Sequence, residues 1–205
     1  MRIFAVGLFA AMIFVGCGES SKSSGKSSDK SSSSSSGSKK KSKKLDPKEL
    51  LAEGKKAMEE DEKRGIVFNE TKDGIVLIKF PQDSNIKSYK IPYGVTEIAY
   101  EAFSGCKNLT RVTIPSSVTY IGEVAFSDCK NLTSITIPNS VTKIGDFTFS
   151  YCENLTSITI PNSVTKIDHS AFLKCKNLTS IILPRRFKGS ERRLGIPEKC
   201  KITYR

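Results

Sequence analysis

Between Ile91 and Ile182 the apolar positions of this chain return on a step of 23 residues. Each unit has eight inward positions, represented in the first by Val95, Ile98, Ala102, Phe103, Cys106, Leu109, Val112 and Ile114. Over four units, 31 of these 32 positions are apolar, and Thr148 is the one departure. Pro92, Pro115, Pro138, Pro161 and Pro184 keep the same step, as do Asn108, Asn131, Asn154 and Asn177. A fixed period of this size is the mark of a chain wound into stacked coils, each burying its apolar face on its neighbours. Within a unit, Leu109 to Ile114 alternates as a strand does, and Pro115 ends it because it has no N–H to give a ladder. Val118 to Ile121 reads as a second, shorter extended stretch. Ala125, Phe126 and Cys129 have the spacing of one helical turn before a corner at Asn131. Equivalent strands then stack about 4.8 Å apart into a parallel sheet, about 20 Å for four coils. The fold class expected is α/β leaning to β: a short solenoid with its parallel sheet on one face, capped at both ends.

The flanks read as those caps. Asp46-Pro47 is a helix start, and Leu50, Leu51, Ala57 and Met58 lie at helical spacing among charges, so residues 45–64 are expected to form a surface helix. In residues 65–90, Ile66 to Phe68 and Ile75 to Phe80 flank an Asp73-Gly74 turn, and Ser88 to Ile91 falls 23 residues before Arg111 to Ile114, adding a starting strand. Residues 91–182 hold the four units. Residues 183–205 are a degenerate, basic unit in which Phe187 follows Val164, and Leu194 follows Ala171, by 23 residues.

Charge changes the picture by segment. The formal net charge is +12, yet residues 91–184 hold seven Lys or Arg against seven acids, whereas residues 1–44 hold nine against two and residues 185–205 eight against two. The coils are neutral and both ends are basic, a distribution that does not suggest a nucleic-acid surface.

Residues 1–16 have a basic start and a 13-residue apolar run, Ile3 to Val15, too short for an ordinary membrane-spanning helix and suited to an export signal. Phe14-Val15-Gly16-Cys17 resembles the lipobox of bacterial lipoproteins, with Phe where Leu is usual. The resemblance implies cleavage before Cys17 and a lipid anchor on that cysteine. Residues 17–44 continue as a tether: residues 20–44 contain fourteen Ser and eight Lys and cannot bury a core.

Runs such as Ile137-Pro138-Asn139-Ser140-Val141-Thr142-Lys143-Ile144-Gly145, and Cys129-Lys130-Asn131-Leu132-Thr133-Ser134-Ile135, resemble the BspA-like leucine-rich repeats of bacterial surface proteins. Ala99 and Asp168 depart from the pattern where Gly122 and Gly145 stand. The resemblance implies a cell-surface protein that engages other proteins, often as an adhesin; taken with the lipobox and the basic end, the expected function is a non-catalytic, adhesin-like binder of a protein or glycan in the bacterial envelope, lipid-anchored at the outer membrane or cell surface. An alternative is a structural envelope component whose Ser/Lys tether, through Lys39 to Lys44, contacts peptidoglycan or anionic lipid.

Two surfaces are candidates for recognition. The first is the exposed sheet face, with Arg111, Ser134, Ser157 and Ser180 in one row and Thr113, Thr136 and Thr159 in another. The second is the basic patch of Arg185, Arg186, Lys188, Arg192 and Arg193, suited to an anionic glycan or acidic protein. Cys106, Cys129, Cys152 and Cys175 read as small buried hydrophobes, since one cysteine per unit lacks the local pairing of a zinc site. No cofactor or metal is expected. His169 is the single histidine of the chain and no nucleophile motif accompanies it, so an enzyme is not expected.

Overall fold

The computed structural model describes residues 46–205. The expected signal, Cys17 and the Ser/Lys tether lie outside them. Helix α1 (Pro47–Glu62) opens with a complete capping box, in which Asp46 accepts from the Lys48 N–H at 3.2 Å and the Asp46 N–H donates to Glu49. A hairpin of β1 (Val67–Thr71) and β2 (Gly74–Lys79) follows, then β3 (Ser88–Lys90) and β4 (Val95–Ile98). The coils alternate two kinds of strand. One kind comprises β5 (Arg111–Thr113), β7 (Ser134–Thr136), β9 (Ser157–Thr159) and β11 (Ser180–Leu183). Between them come the shorter β6 (Tyr120–Ile121), β8 (Lys143–Ile144) and β10 (Lys166–Ile167). Helix α2 (Glu191–Leu194) and β12 (Lys201–Tyr204) end the chain.

The strand read from Leu109 to Ile114 is present, and the shorter stretch builds a ladder of its own. β1-β2-β4-β6-β8-β10 form one six-stranded sheet, parallel beyond the first hairpin. The longer strands form two three-stranded sheets, β3-β5-β7 and β9-β11-β12. The third side of each coil is a pair of turns and not the helical turn that the spacing suggested. Val124 and Asp128 have φ of 59° and 57°, which a right-handed helix excludes, and the turns close by bonds such as Cys129 N–H to Phe126 O.

All 32 inward positions are buried, Thr148 included. The phenylalanines stack face to face through the core, from 4.8 Å between Phe103 and Phe126 to 5.8 Å between Phe149 and Phe172. Gly122 and Gly145 are required by close approach: a Cβ on Gly145 would lie 2.6 Å from the Glu123 nitrogen of the preceding coil. Asp168 at the equivalent place in the last coil keeps its carboxylate 2.8 Å from the Lys166 ammonium.

Both ends are closed by packing. α1 is more than a surface helix, for Gly54, Met58 and Asp61 are buried against the first coil. The Cβ that Gly54 lacks would fall 1.8 Å from the Tyr93 carbonyl oxygen, so only glycine lets the helix seat there. The Tyr89 hydroxyl donates to Asp61 at 2.6 Å. At the other end Leu194 occupies the next register after Ala171: Phe172 N–H donates to Leu194 O at 2.9 Å, as Phe149 N–H does to Ala171 O. α2 is therefore a fifth, degenerate turn. Among the described residues no helix is long and apolar enough to cross a membrane.

Candidate functional site

The coil-to-coil bonds show where the surface is sealed and where it is open. On the short-strand side, Thr119, Thr142 and Thr165 each donate twice to the preceding coil, by N–H and by hydroxyl, to the same carbonyl oxygen. On the long-strand side Thr110, Thr133 and Thr179 do the same. Thr156 has the same Asn-Leu-Thr-Ser context, yet neither its N–H nor its hydroxyl bonds back to Thr133. The ladder is interrupted between β7 and β9, and there alone among the described coils. Thr148 is packed between the same two coils, where three other units have Ala. Its hydroxyl donates toward Gly122 O at 3.0 Å and Gly145 O at 2.8 Å. We attribute the gap to this bulk, because a methyl and a hydroxyl added at full burial have to displace a neighbour.

β7 and β9 still run side by side within 8 Å, and Asn154 N–H donates to Lys130 O at 3.2 Å; over their unbonded junction the sheet face holds an open cleft of about 370 Å³. Its floor is Ile135, Ile137 and Ile158, and its walls are Ser134, Thr136, Asn139, Ser157, Thr159, Pro161 and Arg205. Of the sheet-face candidates, Ser134, Thr136, Ser157 and Thr159 therefore meet at the cleft. Arg111 and Thr113 stand beside it in register with Ser134 and Thr136, and Ser180 pairs with Ser157. Arg205, which the pattern did not single out, turns its guanidinium over this face and donates to Ile160 O at 3.3 Å.

The basic patch divides. Arg186 donates to Asn162 O at 3.2 Å and Arg193 to Ile167 O at 2.9 Å. Both guanidiniums thus tie the last turn to the preceding coil, and Arg193 covers the open edge of β10. Arg185, Lys188 and Arg192 are exposed. The patch is a fastening as much as a charged surface, because backbone carbonyls left at the end of a solenoid need donors. Glu191 sits inside it, accepting from Gly189 N–H and from the Tyr204 hydroxyl, and these bonds hold its carboxyl below the usual range.

The cysteines have a structural role the pattern did not show. Cys129, Cys152 and Cys175 donate their S–H to Phe103, Phe126 and Phe149 carbonyls at 3.0, 3.1 and 3.0 Å. Burial pushes the Cys106 and Cys175 thiols up to about 12, and Cys129 and Cys152 also upward. All five described cysteines are free, and thiols so far from ionising are poor nucleophiles and poor metal ligands. The Asn ladder serves the corner: Asn108 and Asn131 donate to Ser84 O and Lys107 O, and Asn154 to Asn131 Oδ1. Among the described residues no group of three His, Cys, Asp or Glu is placed to hold a metal ion. His169 stands exposed, its Nδ1 3.6 Å from Asp146.

Comparison with known proteins agrees with this architecture. Residues 78–192 match the BspA type leucine rich repeat region in six copies. A leucine rich cell surface protein from Faecalibacterium prausnitzii A2-165 is 30% identical with a TM-score of 0.61, over 68% of this chain and 38% of that one. The chain thus spans well under half the length of that relative. A leucine rich repeat protein of T. pallidum is 27% identical over 68% of this chain and 82% of its own, with a TM-score of 0.48. One from Bacteroides capillosus ATCC 29799 is 25% identical over 67% and 92%, with a TM-score of 0.49. No curated protein matches the chain.

Proposed function

Because the chain belongs to the BspA-type leucine-rich repeat family, we propose that it is a cell-envelope lipoprotein, anchored through Cys17, whose divided sheet face binds a protein partner without catalysis. Relatives with this repeat are bacterial cell-surface proteins, and leucine-rich repeats generally mediate protein–protein contact. The observation that carries the reading is the gap between β7 and β9. Over that junction four hydroxyls and a guanidinium surround an apolar floor, a mixture that can hold a segment of a partner by side-chain hydrogen bonds and apolar contact. The rows of Ser134, Ser157 and Thr136, Thr159 extend that surface along the coils. A glycan or other polyanion on the basic patch is the weaker reading, since Arg186 and Arg193 are already bonded to backbone carbonyls.

The test uses the full-length chain in detergent, immobilised and exposed to host matrix proteins and envelope fractions. Thr136→Trp with Thr159→Trp, which fills the cleft mouth, is expected to weaken saturable binding at least about tenfold, the scale of a central interface contact. Arg185→Ser with Arg192→Ser and raised salt are expected to leave it unchanged. Binding that survives the tryptophans and falls with the arginines moves recognition to the basic patch. No saturable binding to any fraction removes the proposal. For the anchor, Cys17→Ala is expected to shift the protein from the membrane to the soluble fraction. Deletion of residues 20–44 with Cys17 kept is expected to leave fractionation unchanged, and release would instead favour attachment through the Ser/Lys tether.

A further inference from the structure

On the third side of the coils two positions in every unit have left-handed backbone. The first column is Glu101, Val124, Phe147 and Ser170, with φ of 55°, 59°, 52° and 55°. The second, four residues on, is Gly105, Asp128, Tyr151 and Lys174, with φ of 70°, 57°, 58° and 60°. This conformation is free for glycine and tolerable for Asn or Asp, and it strains a β-branched or bulky residue. The fold therefore asks for small polar residues here. Instead Val124 and Phe147 follow each other in the first column, and Tyr151 stands beside Phe147 in the second, across the turn closed by Ser150 N–H to Phe147 O at 3.0 Å. The two rings do not recover the strain by full burial: Phe147 is 40% and Tyr151 43% exposed. Partly exposed apolar residues held on left-handed backbone, two in one coil and Val124 in the preceding one, are the pattern of a retained binding site.

We propose that Phe147 and Tyr151, with Val124, form a stacking platform for a neutral oligosaccharide. The chemistry of the rim selects this class. Three apolar side chains fall far short of the roughly 800 Å² per partner that a stable protein interface buries, whereas they match the face of one or two pyranose rings. The negative face of an aromatic ring attracts the C–H bonds of a sugar ring laid upon it. The same side of the coils carries acceptors and donors for hydroxyls: Asp128, Asp146, Glu153 and His169. Charges balance here: Asp128, Asp146 and Glu153 are matched by Lys130, Lys174 and Lys176, and Lys130 and Lys176 are held at 3.5 and 3.1 Å by Asp128 and Glu153. A rim of balanced charge gives no preference for a sulfated or uronic chain, so this site differs in place and ligand from both the cleft and the basic patch.

The experiment is titration calorimetry of the full-length protein in detergent with neutral hexasaccharides of glucose, xylose, mannose and N-acetylglucosamine, and with a heparin hexasaccharide. At least one neutral sugar is expected to bind, heparin is not expected to compete with it, and Tyr151→Ala is expected to weaken it about tenfold. Phe147→Asn separates site from scaffold. Relief of left-handed strain is expected to raise Tm by about 2 to 4 °C while binding is lost. No binding of any neutral hexasaccharide overturns the proposal, as does binding that Phe147→Asn leaves intact. A fall in Tm on Phe147→Asn overturns it too, by showing the ring to be packing. None of these outcomes bears on the cleft, which the tryptophan substitutions test separately.

Discussion

The two ladders of this solenoid are built from the same coils at the same step, yet one is continuous and the other is divided. On the short-strand side Thr119, Thr142 and Thr165 each donate both their groups backward, and β2, β4, β6, β8 and β10 lie in one sheet. On the long-strand side Thr156 does neither, and β7 and β9 run side by side without ladder bonds. The difference teaches that a repeat protein's coils are not rigid plates. One enlarged core residue, Thr148, lies between the two coils whose long-strand ladder is interrupted, while the bonds on its own side, such as Phe126 N–H to Thr148 O at 2.8 Å, stay formed. The side held shut is structural. The side allowed to open presents hydrogen-bonding groups that stacking would otherwise consume.

The largest effect is expected from disrupting the closed side. Gly145→Val places a branched side chain where even a Cβ lies 2.6 Å from backbone. It is expected to cost about 3 kcal/mol or more, read as a loss of cooperative unfolding in urea. A variant of wild-type stability would show that the closed ladder is not tightly packed. Next in size, Thr148→Ala is expected to bring β7 and β9 together. Loss of two hydroxyl bonds offsets the regained ladder, so stability should change by only about 1 kcal/mol, while partner binding at the cleft falls. Undiminished binding in that variant would separate the cleft from recognition.

The smallest effect lies at the N-terminal cap. Burial raises the Asp61 carboxyl above its ordinary value, with the Tyr89 hydrogen bond and Arg64 opposing. A carboxyl whose folded pKa is raised favours folding below the unfolded value, about 3.9, and that contribution is lost as pH rises through the folded one. Asp61→Asn keeps an acceptor for Tyr89 and removes the titration. Its Tm relative to wild type is expected to climb from pH 4 to pH 8, and a constant difference would deny the effect.

Much of this architecture was legible in the chain. The 23-residue step names every inward residue correctly because a stacked coil repeats its environment, and Leu194 could be placed after Ala171 even in a unit that has lost the consensus. Thr148, the single exception among 32 positions, marks the divided ladder, although nothing in the sequence says which face would part. What stayed hidden are features that residue type does not encode. Thr156 is indistinguishable in sequence from Thr133 and Thr179, and differs only through a neighbour packed in the core. Val124 and Phe147 give no sign of a left-handed backbone, since such residues normally avoid it. Arg186 and Arg193 read as surface charge until their carbonyl partners are seen, and Arg205 reaches the cleft only through the return of β12.

Recognition is placed on the sheet face over the junction where β7 and β9 lack ladder bonds. Native-state amide hydrogen exchange on the full chain tests it most directly, residue by residue at Thr133, Thr156 and Thr179. Thr156 is expected to exchange at least about a hundredfold faster than the other two, and to become protected when the captured partner is bound. Equal protection at all three in the free protein would mean that the ladder is continuous, and the cleft with the function placed on it would be lost.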